Sequence, residues 1–213
     1  MSKQEAREQR KRIAKNTAAF DPVYFTKHGH GATHPLTGLG AGDSMLHFDI
    51  LQEDDSRHVF QRLMKEVKWN HMFHAGGPVP RLVAMQGDVS NENYEPIYRH
   101  PADEQPEMLS FSPTIEKIRR SVQQRIGLCA NHALIQLYRT PEDNISEHAD
   151  KTLDIKIDTA ICNASFGATR VLTLRTKSKA GRLAQVVQTG LWSPGPIVPL
   201  FTPCHHTAYF TAT

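Results

Sequence analysis

Two residues with metal-ligand chemistry stand two positions apart in residues 144–155, NISEHADKTLDI: His148 and Asp150, separated only by Ala149. On a strand, residues i and i+2 point to the same face, so this spacing lets an imidazole nitrogen and a carboxylate oxygen meet at one small cation. With a distant histidine added, the pair becomes a two-histidine, one-carboxylate facial set. Such a set suits Fe(II) and leaves positions open for O2 and an oxidisable cosubstrate. Taken alone, the pair reads by default as an ordinary surface salt bridge, because a chain with 12 histidines holds such spacings by chance. His205 and His206, in PCHHTAY, are the distant candidates for the third ligand.

The elements that must position these residues are legible in the periodicity. Residues 45–51, MLHFDIL, read as a short strand. Asp54, Asp55 and Ser56 then offer N-cap chemistry to a helix whose apolar stripe is Val59, Leu63, Met64 and Val67 and which Trp69 closes. Residues 79–87, VPRLVAMQG, read as a strand ending in a Gly-Asp turn, and the polar, proline-bearing residues 88–110 follow. A second helix is expected over 113–126, with Ser112 as cap, Pro113 at the first position, Ile115, Ile118, Val122 and Ile126 on one stripe, and Gly127 as stop. From 131 the period changes to strands: HALIQLYR, a second around 145–148, and two hinged near Phe166-Gly167. Helices first and strands afterwards predict an α+β layout, with helices packed on one face of a β-sandwich or barrel.

Composition limits the setting. The chain has 213 residues, 39% hydrophobic and 22% charged, which describes a soluble globular protein. No apolar run approaches the roughly 20 residues of a membrane helix, and residues 1–20 lack an apolar signal core. No membrane partner is expected. Three cysteines without a CxxC pair argue against a disulfide framework and for a reducing, intracellular setting, nucleus or cytoplasm. Residues 1–16, MSKQEAREQRKRIAKN, hold six Lys/Arg against two Glu, an arm that can lie on phosphate, act as a nuclear-import signal or simply be solvated. His28, His30 and His34 fall in HGHGATHPLTGLGAGD, read as an irregular surface loop.

The run NHALIQLYRTPEDNISEHADKTLDI…DTAICNASFGATRVLTLRTK closely resembles the AlkB-type Fe(II)/2-oxoglutarate dioxygenases. That family has an Asn-led strand ending in Asn-x-Tyr, a turn, an isoleucine shortly before HxD, and an S-[LF]-G-A-x-R segment. Upstream, LHFDILQEDDSRHVFQRLMKEVKW and PRLVAMQGD resemble its opening strand and helix and its Pro-Arg…Gly-Asp segment, so the likeness runs from about 45 to 178. The resemblance implies a double-stranded β-helix (jelly-roll, cupin-like) core. It implies His148 and Asp150 as iron ligands, and Asn131, Gln136 and Tyr138 as cosubstrate residues, with Gln136 standing where the family has Asn. It assigns Ser165, Phe166, Gly167 and Arg170 to shaping the sheet. Lys151 follows the Asp where many relatives carry another acid, which leaves the substrate open. The implied cofactors are Fe(II) and 2-oxoglutarate. The implied reaction oxidises an N-alkyl group on a DNA or RNA base, releasing it as an aldehyde, with the base unpaired or flipped out.

The last 25 residues depart from the family pattern. Residues 189–213 contain no Lys, Arg, Asp or Glu and carry prolines at 194, 196, 199 and 203, and the last Arg of the chain is Arg182. Proline cannot donate to a ladder, so a poor strand is expected there and a core incomplete at its C-terminal end. The expected organisation is a basic arm and Gly/His-rich loop over 1–44, an AlkB-like domain over 45–188 and an atypical tail over 189–213. Two functions compete: a working dioxygenase, and an inactive family member that at most binds nucleic acid.

Overall fold

The computed structural model describes residues 33–35, 44–51, 53–74, 77–89, 96, 106–146, 148, 155–157, 159–168, 170–175, 184–189 and 198–200. The basic arm, Asp150, Lys151, Arg182, His205 and His206 lie outside the described residues. In chain order the first elements are β1 (Thr33–Pro35), β2 (Met45–His47), α1 (Glu53–Glu66), β3 (Asn70–His74), β4 (Gly77–Gly87) and β5 (Met108–Ser110). They are followed by α2 (Pro113–Ile126), β6 (His132–Leu137), β7 (Ala164–Phe166), β8 (Arg170–Arg175), β9 (Ala184–Thr189) and β10 (Val198–Leu200). Two compact units result. One combines residues up to Asp49 with Val171–Gln188; the other combines Ile50–Arg170 with residues from Thr189 onward. In the first unit β1 pairs antiparallel with β2, with Thr33 opposite His47.

The second unit is built on β4. β3 runs antiparallel along its first half and β5 parallel along its end, while β6 runs antiparallel from Leu82↔Leu137 to Gly87↔His132. Because β3 and β6 both pair with Leu82 and Val83, they lie on opposite edges of β4. Side chains alternate across this sheet. Ala84, Ala133, Ile135 and Leu137 join Val59, Leu63 and Val67 of the α1 segment and Ile115, Ile118 and Val122 of α2 in one apolar core. Both helices therefore cover one face, as the apolar stripes require. Each fully buried aliphatic there contributes about 1.5–3 kcal/mol. The helices are also tied end to end: Glu66 accepts hydrogen bonds from the Thr114 amide (2.8 Å) and hydroxyl (2.7 Å), satisfying donors at the start of α2. α2 stops at Gly127, whose φ of 73° lies in the left-handed region that favours glycine and whose N–H donates to the Gln123 carbonyl at 2.8 Å.

Several expectations are corrected. Residues 33–35, read as loop, form β1, because β2 offers them a ladder that residue type alone does not announce. The strand expected over 45–51 is only Met45–His47. Helix α1 begins at Glu53, so Asp54, Asp55 and Ser56 lie inside its first turn rather than ahead of it. Met64 and Ile126, placed on the buried stripes, are exposed at 38% and 36%. Ser112 has the extended backbone of an N-cap but no side-chain capping bond; its amide donates to Gln86 Oε1 at 2.8 Å instead. Strands β3, β5 and β9 were not expected. No strand forms at residues 145, 146 or 148. Finally, the proline-rich tail does supply a strand: β10 pairs antiparallel with β7, with Pro199 opposite Ser165, and lies against β6. Among the described residues β10 pairs with β7 alone.

Candidate functional site

The face of the β4–β6 sheet turned away from the helices carries the polar groups. On β4, Val79, Val83 and Met85 belong to a second apolar cluster with Met72 and Leu134, and Met108 and Ile155 pack on it. Alternation sets Arg81 on that same face, and Gln136 too, since Val83 faces Gln136 and Met85 faces Leu134 in register. Tyr138, two residues beyond Gln136, continues the row. The three side chains are buried, Arg81 at 8%, Gln136 at 0% and Tyr138 at 2% exposure. The Tyr138 hydroxyl donates to Gln136 Oε1 at 3.4 Å. Buried polar groups are costly unless paired, and three of them stand in one row on this face.

The chain leaves this face through a braced turn. Asp143 is buried and accepts from the Arg139 amide (2.9 Å), Nε (2.8 Å) and an Nη2 (3.1 Å). This pairing raises the Arg139 pKa above its ordinary value. Asn144 then donates its amide to the Pro80 carbonyl at 3.1 Å and accepts at its own carbonyl from Arg81 Nη1 at 3.3 Å. His148 follows. Its Nδ1 lies 2.7 Å from the Ser146 carbonyl. A carbonyl only accepts, so Nδ1 carries the proton and, in the neutral ring, Nε2 carries the lone pair that a metal needs. A backbone carbonyl of this kind is a common partner fixing the tautomer of a metal-binding histidine.

At the other end of β6 a charged cluster ties the sheet to α2. Arg119 donates to the Ala130 carbonyl (2.9 Å) and to Glu116 (2.7 Å), reaches Asp88 (3.4 Å) and lies over the Phe111 ring, 4.8 Å from its centre. Burial pushes the Glu116 carboxyl up, but the hydrogen bonds from Arg119 and Arg120 outweigh it and hold the group below the usual range. Burial keeps Asp88 above its ordinary value despite Arg119, and the Glu116 charge adds to the effect. The Cys162 thiol is pushed up to about 12 by burial, which makes it an inert thiol.

The sequence-expected residues are thus only partly brought together. Gln136 and Tyr138 stand side by side. Asn131 precedes β6 at its opposite end, roughly 20 Å of extended chain from Tyr138. A five-carbon diacid with a hydrogen bond at each end spans roughly 12 Å. One molecule therefore does not touch both. The Asn131 residue is 3% exposed, and among the described residues neither its carboxamide oxygen nor its nitrogen has a hydrogen-bond partner. Asp150 and both tail histidines lie outside the described residues, among which no group of three or more His, Cys, Asp or Glu could hold a metal ion. Phe166 is buried in the helix-side core, and Gly167 has φ 96°, a conformation side chains rarely adopt. Arg81 was not singled out by sequence reasoning. Its signal was a charge in step with Val79, Val83 and Met85, on what must be a buried face.

The family profile of the 2OG-Fe(II) oxygenase superfamily matches residues 44–191, and the chain belongs to that superfamily. Its relatives are of the AlkB type. It is 27% identical over 136 residues to the DNA oxidative demethylase ALKBH2 of Bos taurus, a match covering 60% of this chain and 46% of the relative. It is 28% identical over 134 residues to the alpha-ketoglutarate-dependent dioxygenase alkB homolog 3 of Bos taurus, covering 61% of this chain and 44% of the relative. The human ALKBH2 enzyme is 28% identical over 136 residues, covering 60% and 49%. The chain spans about half the length of the curated relatives it matches. No helix among the described residues is long and apolar enough to cross a membrane.

Proposed function

We propose that this chain is an Fe(II)- and 2-oxoglutarate-dependent dioxygenase that removes alkyl groups from nucleic-acid bases, acting from a double-stranded β-helix core. The observation that carries it is the buried Gln136–Tyr138 pair on the face away from the helices, in a chain of this superfamily. The donor chemistry fits the implied groups. Gln136 has an amide N–H suited to a carboxylate, and the Tyr138 hydroxyl can exchange its long bond to Gln136 Oε1 for one to the same carboxylate. His148 offers Nε2 to iron because Nδ1 faces the Ser146 carbonyl. Asp150 and one of His205 and His206 are the further ligands we assign. Bound iron with 2-oxoglutarate and O2 supplies the oxidation of an N-alkyl C–H bond to an alcohol, with 2-oxoglutarate leaving as succinate and CO2.

The chain's own residues do the rest. The Arg139–Asp143 brace and the Asn144 bonds to Pro80 and Arg81 fix the path from Tyr138 to His148, so the cosubstrate groups and the imidazole keep a set separation. Met85, Met108, Leu134 and Ile155 make the surroundings apolar, which strengthens hydrogen bonds to a charged ligand. The basic arm over 1–16 suits a phosphate backbone, with affinity that falls as salt rises.

The test is succinate formation by the purified chain with Fe(II), ascorbate, O2, 2-oxoglutarate and an N-methylated oligonucleotide, beside His148→Ala. Turnover abolished in the variant supports the proposal. A folded chain that makes no succinate under any of these conditions is the inactive family member instead.

A further inference from the structure

Three of the chain's six methionines gather on the helix-free face of the sheet. Met72 and Met85 are buried at 4% and 3% exposure with Val79, Val83 and Leu134, and Met108 packs on them with Ile155. Met85 and Met108 are partners across the parallel β4–β5 ladder. Met85 also faces Leu134 on β6, one same-face pair along from Val83 and Gln136, which sets it diagonal to Gln136 at roughly 7–8 Å. Gly87 leaves room for the other sulfur: a Cβ there would lie 3.0 Å from Met108 Sδ. Ile155, on the same cluster, lies seven residues beyond His148 in the segment that carries two of the assigned ligands.

A thioether takes up oxygen more readily than any hydrocarbon side chain around it, and the sulfoxide is polar where the thioether was apolar. We infer that Met85 and Met108 accept the oxygen when the site turns over without a nucleic-acid substrate, and that sulfoxide there switches off cosubstrate binding. The inference rests on the dioxygenase reading above. The step balances: 2-oxoglutarate, O2 and one thioether give succinate, CO2 and one sulfoxide. One oxygen atom of O2 ends in succinate and the other on sulfur, which gives up two electrons; no bond of the methionine breaks. Sulfoxide oxygens in this cluster would replace the apolar surroundings that strengthen hydrogen bonds to a charged ligand at Gln136. A methionine sulfoxide reductase reverses the change. Methionines that serve packing alone would show no such selectivity.

The experiment is peptide mapping by mass spectrometry of the full chain after incubation with Fe(II), ascorbate and O2, with and without 2-oxoglutarate and with no nucleic acid present. An oxidant in bulk solution follows exposure, so it reaches Met45 and Met64, exposed at 50% and 38%, before Met85. With 2-oxoglutarate the order reverses, and sulfoxide at Met85 and Met108 is expected several-fold above that at Met45 and Met64. The oxidised chain, reloaded with Mn(II), then binds 2-oxoglutarate several-fold more weakly in calorimetric titration, and reductase treatment restores the affinity. Combining Met85→Leu with Met108→Leu keeps volume and removes both sulfurs, so the same incubation leaves affinity unchanged. If that variant does not fold, the mapping and titration of wild type decide by themselves. An order that follows exposure in both arms, while succinate forms, overturns the inference and leaves the dioxygenase reading intact. Sulfoxide at Met85 and Met108 with undiminished affinity overturns the switch. No succinate, even with an N-methylated oligonucleotide added, overturns the inference and the reading together.

Discussion

The two faces of the β4–β6 sheet are made by the same strands, one residue out of step. On the helix side, Ala84, Ala133, Ile135 and Leu137 meet the stripes of both helices, and the result is a continuous apolar core. On the other side, Arg81, Gln136 and Tyr138 interrupt a smaller apolar cluster with groups that must be solvated by something other than hydrocarbon. The difference teaches how one strand divides its work. On β4 the odd positions set Arg81 among Val79, Val83 and Met85, the even positions set Ala84 under the helices, and a period of two keeps the two faces from mixing.

Adjacent residues on β6 give the sharpest way to break this comparison. Ile135→Ala opens a cavity under the helices and is expected to cost about 2–5 kcal/mol. Gln136→Leu, its neighbour on the other face, opens no cavity but takes the acceptor from the buried Tyr138 hydroxyl, and should cost less, about 1–3 kcal/mol. It should nevertheless weaken 2-oxoglutarate binding at least tenfold. Urea midpoints and ligand titration of both variants decide the matter; a Gln136→Leu chain as unstable as Ile135→Ala would erase the distinction between the faces.

A smaller effect isolates the helix layer. Glu66→Ala removes the acceptor for both the Thr114 amide and hydroxyl, for an expected loss of about 1–2 kcal/mol. Ligand affinity should be unchanged, since nothing of this tie reaches the polar face; an altered 2-oxoglutarate affinity would mean that the helix layer also sets the site.

The smallest effect is one of pH. Glu116 has its folded pKa held down, so its contribution is present above its unfolded value and lost as pH falls through the folded one. Asp88, held up by burial, has the opposite sign: the folded chain keeps its proton longer and gains as pH falls. Thermal midpoints of wild type and Glu116→Gln should therefore differ near neutrality and converge below the ordinary carboxylate range. Parallel curves down to low pH would remove Glu116 from the account.

Helix α2 was legible to the residue, because Pro113, the isoleucine stripe and Gly127 are local signals read along one element. The pairing of β3, β5 and β9 was not, since three to six residues carry too little periodicity to compete with their surroundings. The Gln136–Tyr138 pair was legible as a motif, and its i, i+2 spacing on a strand was enough to set both on one face. Asn131 was grouped with them by motif alone, and the length of β6 separates them. Tail residues 198–200 were written off for their proline, yet they found β7.

By itself the sequence determined which superfamily this chain belongs to, where α2 begins and ends, and which residue types could bind iron and a diacid. Those follow from residue identity and short-range spacing. Only the tertiary structure decided that Arg81 joins Gln136 and Tyr138, because a cross-strand neighbour 55 positions away in the chain is fixed by register and not by any local pattern. The same holds for His148, whose proton sits on Nδ1 only because the folded turn brings the Ser146 carbonyl within 2.7 Å of it.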